Sequence, residues 1–122
     1  MIKMSDFEIS VLNKFLEGQG KNVSMLRNQM QNLMVKNRQQ SRSGVFIKFH
    51  QNNSIFALED KNRHVIEGVK GFANNIKYSI GFILYLENGM IDMLEAYTYD
   101  ETWPEQLDKL KLIREIECDF NF

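Results

Sequence analysis

The dipeptide Asn88–Gly89 constrains this chain more than any other feature. Asn-Gly is the preferred pair for a two-residue type I′ turn, in which both central residues take positive φ. Apolar runs flank it, so the spacing predicts two antiparallel strands over about 79–87 and 90–99. A two-residue loop also sets the register. Glu87 then faces Met90, Leu86 faces Ile91, Leu84 faces Met93, Phe82 faces Glu95 and Gly81 faces Ala96. One face would hold Ile80, Phe82, Leu84, Leu86, Ile91, Met93 and Tyr97, with Glu95 the single charge among them. The other, with Ile83, Tyr85, Leu94 and Ala96, is half apolar. A hairpin apolar on both faces is expected at the centre of a sheet, covered on both sides.

Upstream, Ser5–Asp6–Phe7–Glu8 has capping-box spacing, and Ile9, Leu12, Phe15 and Leu16 recur at helical intervals before Gly18. This predicts a helix over about 6–17. A second is expected from about Ser24 to Leu33, with Val23, Leu26, Met30 and Leu33 inward and Asn28, Gln29, Gln31 and Asn32 facing water. The period then falls from about 3.6 residues to 2. Extended chain is expected over 34–40, strands over 45–50 and 55–58, a brief strand over 64–67 and irregular chain over 68–77. Pro104 can open a short helix to about Lys109, and alternation resumes from Leu110 to Phe120. There are no repeats or low-complexity tracts, so residues 1–122 read as one α+β domain. Two N-terminal helices pack on a mostly antiparallel sheet of about five or six strands.

The longest apolar run, Phe82–Leu86, is a strand length and far short of a membrane span. The start carries no secretory pattern, and one cysteine, Cys118, allows no internal disulfide; both point to a reducing, cytoplasmic setting. Cys118 sits among acids and reads as a small core or rim residue, not a nucleophile. The net charge of −1 hides a division. Residues 1–86 hold 12 Lys/Arg against 6 Asp/Glu, and residues 87–122 hold 3 against 10. The two halves can neutralise each other within the fold, or the acidic part can face a partner.

Glu95 is the residue whose surroundings look least ordinary. In the predicted register it points into an apolar stripe, where a carboxylate must be paired, hydrogen-bonded or protonated. A basic residue such as Arg38, Arg42 or Arg63 would supply a structural pair; a cleft would make Glu95 an acid or base. Asp92, Asp100, Glu101, Glu105 and Asp108 surround the lone Trp103 but match no calcium loop. His50 and His64 lack zinc spacing, and phosphate loops and nucleophile elbows are absent, so neither metal nor cofactor is expected. Arg38, Arg42 and Lys48 near Phe46 could touch nucleic acid, but a pI of about 6.1 argues against that partner.

The stretch from Gly81 through Leu94–Glu95–Ala96–Tyr97–Thr98–Tyr99–Asp100 to Trp103–Pro104 resembles the hairpin that closes a largely uncharacterised family of small bacterial proteins. The similarity extends weakly upstream through Leu26–Arg27–Asn28–Gln29 and Gly44–Val45–Phe46. Ala96 stands where the family pattern has Gly, which Gly81 opposite could accommodate. The resemblance points to immunity proteins of contact-dependent growth inhibition and implies no catalytic residues. With the acidic last third, it leads to an expected function: a non-enzymatic cytoplasmic protein that binds and neutralises a basic, nuclease-like toxin. Tyr99 and Trp103 would be anchors, and Asp100, Glu101, Glu105 and Asp108 steering charges. The alternatives are a small enzyme using Glu95 as acid or base, and a structural or regulatory homodimer.

Overall fold

The computed structural model describes residues 2–51, 55–116 and 120–122. Helices α1 (Asp6–Phe15) and α2 (Lys21–Gln29) precede strands β1 (Leu33–Ser41), β2 (Gly44–Gln51), β3 (His64–Phe72), β4 (Ile80–Glu87), β5 (Met90–Tyr97) and β6 (Lys111–Arg114). The strands form one antiparallel six-stranded sheet in the order β1-β2-β5-β4-β3-β6, with the Asn-Gly hairpin at its centre. The fold is α+β, with the helices N-terminal to the strands.

Local chemistry sets the ends of α1. The Ser5 hydroxyl accepts the Glu8 N–H at 3.3 Å, and the Glu8 carboxylate accepts the Ser5 N–H at 2.8 Å, completing the capping box. Arg27 of α2 donates to the carbonyls of Leu16 and Gly18 at 2.6 and 2.9 Å, satisfying the open C-terminal end of α1. Val11, Leu12, Phe15, Val23 and Leu26 are fully buried. They pack with Ile80, Phe82, Leu84, Leu86, Ile91, Leu94 and Ala96 of the central strands.

Asn88 and Gly89 have φ of 55° and 76°, as the type I′ turn requires. A Cβ at Gly89 would also lie 2.6 Å from the Leu58 carbonyl oxygen. The Gly89→Val variant is therefore expected to lose about 2 kcal/mol or more, since β-branched residues resist positive φ. Urea unfolding measures this, and a loss under about 0.5 kcal/mol would mean that the turn relaxes.

The register departs from the simple expectation after two pairs. Glu87 faces Met90 and Leu86 faces Ile91, but Tyr85 then faces Met93, Leu84 faces Leu94, Ile83 faces Glu95, Phe82 faces Ala96 and Gly81 faces Tyr97. Asp92 is the extra residue of a bulge. The reason is burial: the bulge lets Ile91 and Leu94, three apart, occupy the same covered face, and it moves Glu95 out of the core. A local bulge costs less than burying an unpaired carboxylate beside Phe82. Two more bulges do the same work. One at Lys36 lets Val35 and Arg38 share the helical side. The other, at Glu67 and Gly68, lets Ile66 and Val69 do so, with Gly68 at φ 116°.

Further differences are local. Helix α2 begins at Lys21, behind Gly20, and ends in a 3-10 turn over Met30–Asn32. Gln29, expected to face water, is buried. Residues 55–58 form a turn and coil, because the Leu58 N–H bonds the Gly89 carbonyl instead of a strand neighbour. Strand β3 runs on to Phe72, through chain expected to be irregular. The segment after Pro104 forms no helix, and β6 stops at Arg114. The rest of the expected last strand partly falls, with Cys118, outside the described residues. Ala96 packs on the covered face opposite Phe82, so it is Gly44, not Gly81, that lies against it: a Cβ there would meet the Ala96 oxygen.

Candidate functional site

The bulges sort the sheet into two unlike faces. Side chains of one parity, from Val35, Val45, Ile47 and Phe49 to Leu84 and Leu94, are buried beneath the helices. The opposite face was expected to be covered as well. Instead it is open, because both helices pack on the first face. Across its middle run Phe46 of β2, Met93, Glu95 and Tyr97 of β5, Ile83 and Tyr85 of β4, and Val65 of β3. Phe46 is 37% exposed and Val65 55%; Ile83, Tyr85, Met93, Glu95 and Tyr97 are half-buried.

Glu95 sits between Phe46 and Ile83 on the neighbouring strands. The Tyr85 hydroxyl donates to its carboxylate at 2.7 Å. The expected place, in a buried stripe opposite Phe82, is overturned by the Asp92 bulge. So is its expected pairing with Arg38, which belongs to Glu8. Burial raises the Tyr85 phenol above its ordinary value, and the Glu95 hydrogen bond adds to this. Tyr97 lies flat over Gly81, where a Cβ would collide with its ring; a glycine is required there. Tyr97 meets Tyr99 edge to face at 5.5 Å between centroids. The Tyr99 hydrogen bond, then burial, then the nearby charges of Glu67 and Glu95, push the Tyr97 phenol up to about 12.

The residues expected to form one acidic docking patch have separate employments. Tyr99 is 47% exposed and belongs to the open face through Tyr97. The Trp103 ring lies on the other side of the sheet, 6.1 Å from that of Phe7, and the Trp103 backbone N–H donates to the Arg42 carbonyl at 2.7 Å. The two anchors therefore do not share a surface. The Glu101 carboxylate accepts the N–H groups of Lys77 and Tyr78 at 2.7 and 3.0 Å, which holds its pKa down. The Asp108 backbone bonds Asn74 and the Asn75 side chain, fastening the loop. The carboxylates of Asp100, Glu105 and Asp108 remain exposed and make no ion pair with a described residue.

A groove of about 720 Å³ separates the start of α1 from the 103–112 segment. Phe7, Trp103, Leu107 and Leu110 line it, with Glu8 and Arg38 on one wall. Arg38 grips the Glu8 carboxylate with two bonds, at 2.6 and 2.8 Å. Glu95 lines neither this groove nor the smaller one beside β3. Sequence reasoning found Glu8 as a cap but missed its buried ion pair, which joins residues 30 apart. It also missed Gln29, whose side chain is the internal brace of the hairpin. Among the described residues no three His, Cys, Asp or Glu side chains converge as a metal site, and no helix is long and apolar enough to cross a membrane. Comparison with protein-family models, curated proteins and solved structures finds no match to this chain.

Proposed function

We propose that this chain is a binding protein of the immunity type, which neutralises a cationic toxin by covering it with the open face of its sheet. The observation that carries the reading is that face itself. An antiparallel sheet can turn one side to water, but such a side is ordinarily polar. Here the side without a helical layer presents Phe46, Val65, Ile83, Tyr85, Met93, Tyr97 and Tyr99 in one continuous band. A contiguous apolar and aromatic band rimmed by charge fits a protein partner. The family resemblance of the Leu94–Pro104 stretch supports the same reading. In this scheme Asp100, Glu105 and Asp108 lie beyond the contact and steer the encounter, while Glu101 and Trp103 are structural.

Co-expression tests it. A neighbouring open reading frame whose product arrests growth should be tolerated when this chain is present, and the two products should copurify. Reversing Asp100 and Glu105 to Lys should slow association several-fold at low salt, with the effect fading as screening shortens to about 8–10 Å. The melting temperature should fall by no more than about 3 °C, because neither side chain makes an ion pair with a described residue and the one backbone cost is at Asp100, whose φ of 53° suits Asp better than Lys. Growth arrest that this chain does not relieve would sink the proposal. An unchanged association rate would remove the steering role.

A further inference from the structure

We infer that the centre of the open face is a receptor for a cationic side chain, an arginine or lysine presented by a protein partner, held by Glu95 and Glu67 on the aromatic platform of Tyr85 and Tyr97. The inference deepens the proposed function and rests on it for the nature of the partner. It begins with the charges. Around this face Lys48 pairs with Asp92 at 2.5 Å, Lys70 with Glu115 at 2.9 Å, and Arg63 approaches Glu87 at 3.8 Å. Those pairs are neutral. They also join the basic part of the sequence to the acidic part. Glu95 and Glu67 are left without a cation among the described residues. Ile83 lies between them: Glu95 faces it from β5, and on its other side Glu67 stands in the β3 bulge between the Ile66–Leu84 and Val69–Phe82 pairs, so that both charges act on the phenols of Tyr85 and Tyr97. The middle of the face thus holds two carboxylates with no ion pair of their own, set among aromatic rings; the cation beside them, Arg63, reaches the Tyr85 ring but has Glu87 as its partner.

That combination selects its ligand. A guanidinium can donate hydrogen bonds to a carboxylate while its plane lies on a ring, and desolvation by the surrounding apolar side chains strengthens both contacts. The chain supplies an internal example: the Arg63 guanidinium carbon sits 5.1 Å from the centroid of the Tyr85 ring. The Tyr85 hydroxyl bond fixes the direction of the Glu95 carboxylate but adds no positive charge, leaving its other oxygen available. A nucleic acid or an anionic membrane would meet two like charges at the centre. A second copy whose two-fold axis passed through this centre would set the same carboxylates against each other, a repulsive arrangement. A cationic protein side chain satisfies the rings and the acids together.

The test uses the full chain and an oligo-arginine peptide, with an oligo-glutamate peptide of equal length as control. Amide chemical shifts are followed in a titration at low and at physiological salt. Oligo-arginine should move the signals of Ile83, Tyr85, Glu95 and Tyr97, and oligo-glutamate should not. The Glu67→Gln/Glu95→Gln variant should bind about ten-fold more weakly. The Glu17→Gln/Glu59→Gln variant, which removes the same charge from the helical side, should bind within two-fold of the parent. Circular dichroism melting shows that each variant is folded. Shifts confined to the 98–110 loop, equal losses in the two variants, or a chain that sediments as a dimer and ignores the peptide would each overturn the inference. No toxin takes part in the titration. A face that binds arginine in a chain that gives no protection would refute the proposed function alone. Protection undiminished by the Glu67→Gln/Glu95→Gln change would refute this inference alone.

Discussion

Replacing Arg38 with alanine is expected to destabilise the fold by about 2–4 kcal/mol at neutral pH, and by much less in acid. Glu8 is 2% exposed and carries a charge that Arg38 satisfies with two hydrogen bonds. Burial pushes the Glu8 carboxyl up. The Arg38 hydrogen bonds, the Ser5 N–H and the guanidinium charge together outweigh it and leave the pKa below the ordinary 4.5. Such a group contributes stability that is present above about pH 4.5 and is lost as pH falls through the lower folded value. Without Arg38, burial is opposed by Ser5 alone, so the carboxyl shifts upward and the sign reverses: the variant is penalised at high pH and relieved as Glu8 takes up a proton. The deficit relative to the parent should therefore shrink steadily from pH 7 to pH 4. The upper end of the usual 3–5 kcal/mol for a broken buried pair is reduced here, because the Arg38 side chain is 34% exposed. Urea unfolding across that pH range measures the effect. The Glu8→Gln/Arg38→Met double variant should recover most of the loss, since it removes the charge and its partner together. A deficit independent of pH would show that Arg38 acts through packing instead.

The parts of this fold that were legible in the sequence are those decided by neighbours along the chain. Ser5 and Glu8 cap α1 from three residues apart, and Asn88–Gly89 makes its turn unaided. The parts that were not legible depend on distant residues. Alternation was read as unbroken along β5, although Ile91 and Leu94, both apolar at odd spacing, were the signal of a bulge. The same spacing occurs at Ile66 and Val69, where Gly68 could have marked the interruption. Missing the bulge at Asp92 reversed the faces of everything beyond it, and so put Glu95 in the core and left the open face unseen. Composition could not separate Trp103 from Tyr99, because an aromatic residue in an acidic loop looks the same whether Phe7 or solvent receives it. The −7 balance of residues 87–122 was real, but it was spread over unlike duties. Glu101 clasps two backbone N–H groups, Asp92 pairs with Lys48, and Glu95 stands on the sheet.

Replacing Gln29 with alanine should be equally damaging, by about 3 kcal/mol, although nothing in the local pattern of α2 distinguishes it from Asn28. Its side-chain amide, 1% exposed, donates to the Phe56 carbonyl at 3.0 Å and to the Gly89 carbonyl at 2.9 Å, and accepts the Ile91 N–H at 2.8 Å. One side chain thus ties the end of α2 to the second residue of the central turn, to the start of β5 and to the loop before β3. Each buried backbone group left unmet costs about 1–3 kcal/mol. The sum is moderated because Gly89 keeps its bond from the Leu58 N–H, and because water can enter the space left by the deleted amide. A loss of that size corresponds to a fall in Tm of roughly 10 °C for a domain of this length. Gln29→Glu is the sharper variant. It preserves shape but aims a carboxylate at two carbonyl oxygens, so at neutral pH it should be at least as destabilising as alanine. Its folded-state pKa should be raised by burial and by those oxygens. Stability should then return as pH falls through that raised value, when a protonated carboxyl can again donate to one carbonyl. Hydrogen exchange gives the local readout, with the Ile91 amide losing protection first in the alanine variant. If both variants unfold within about 0.5 kcal/mol of the parent, the brace is redundant, and the Asn-Gly turn and the sheet hold the hairpin without it.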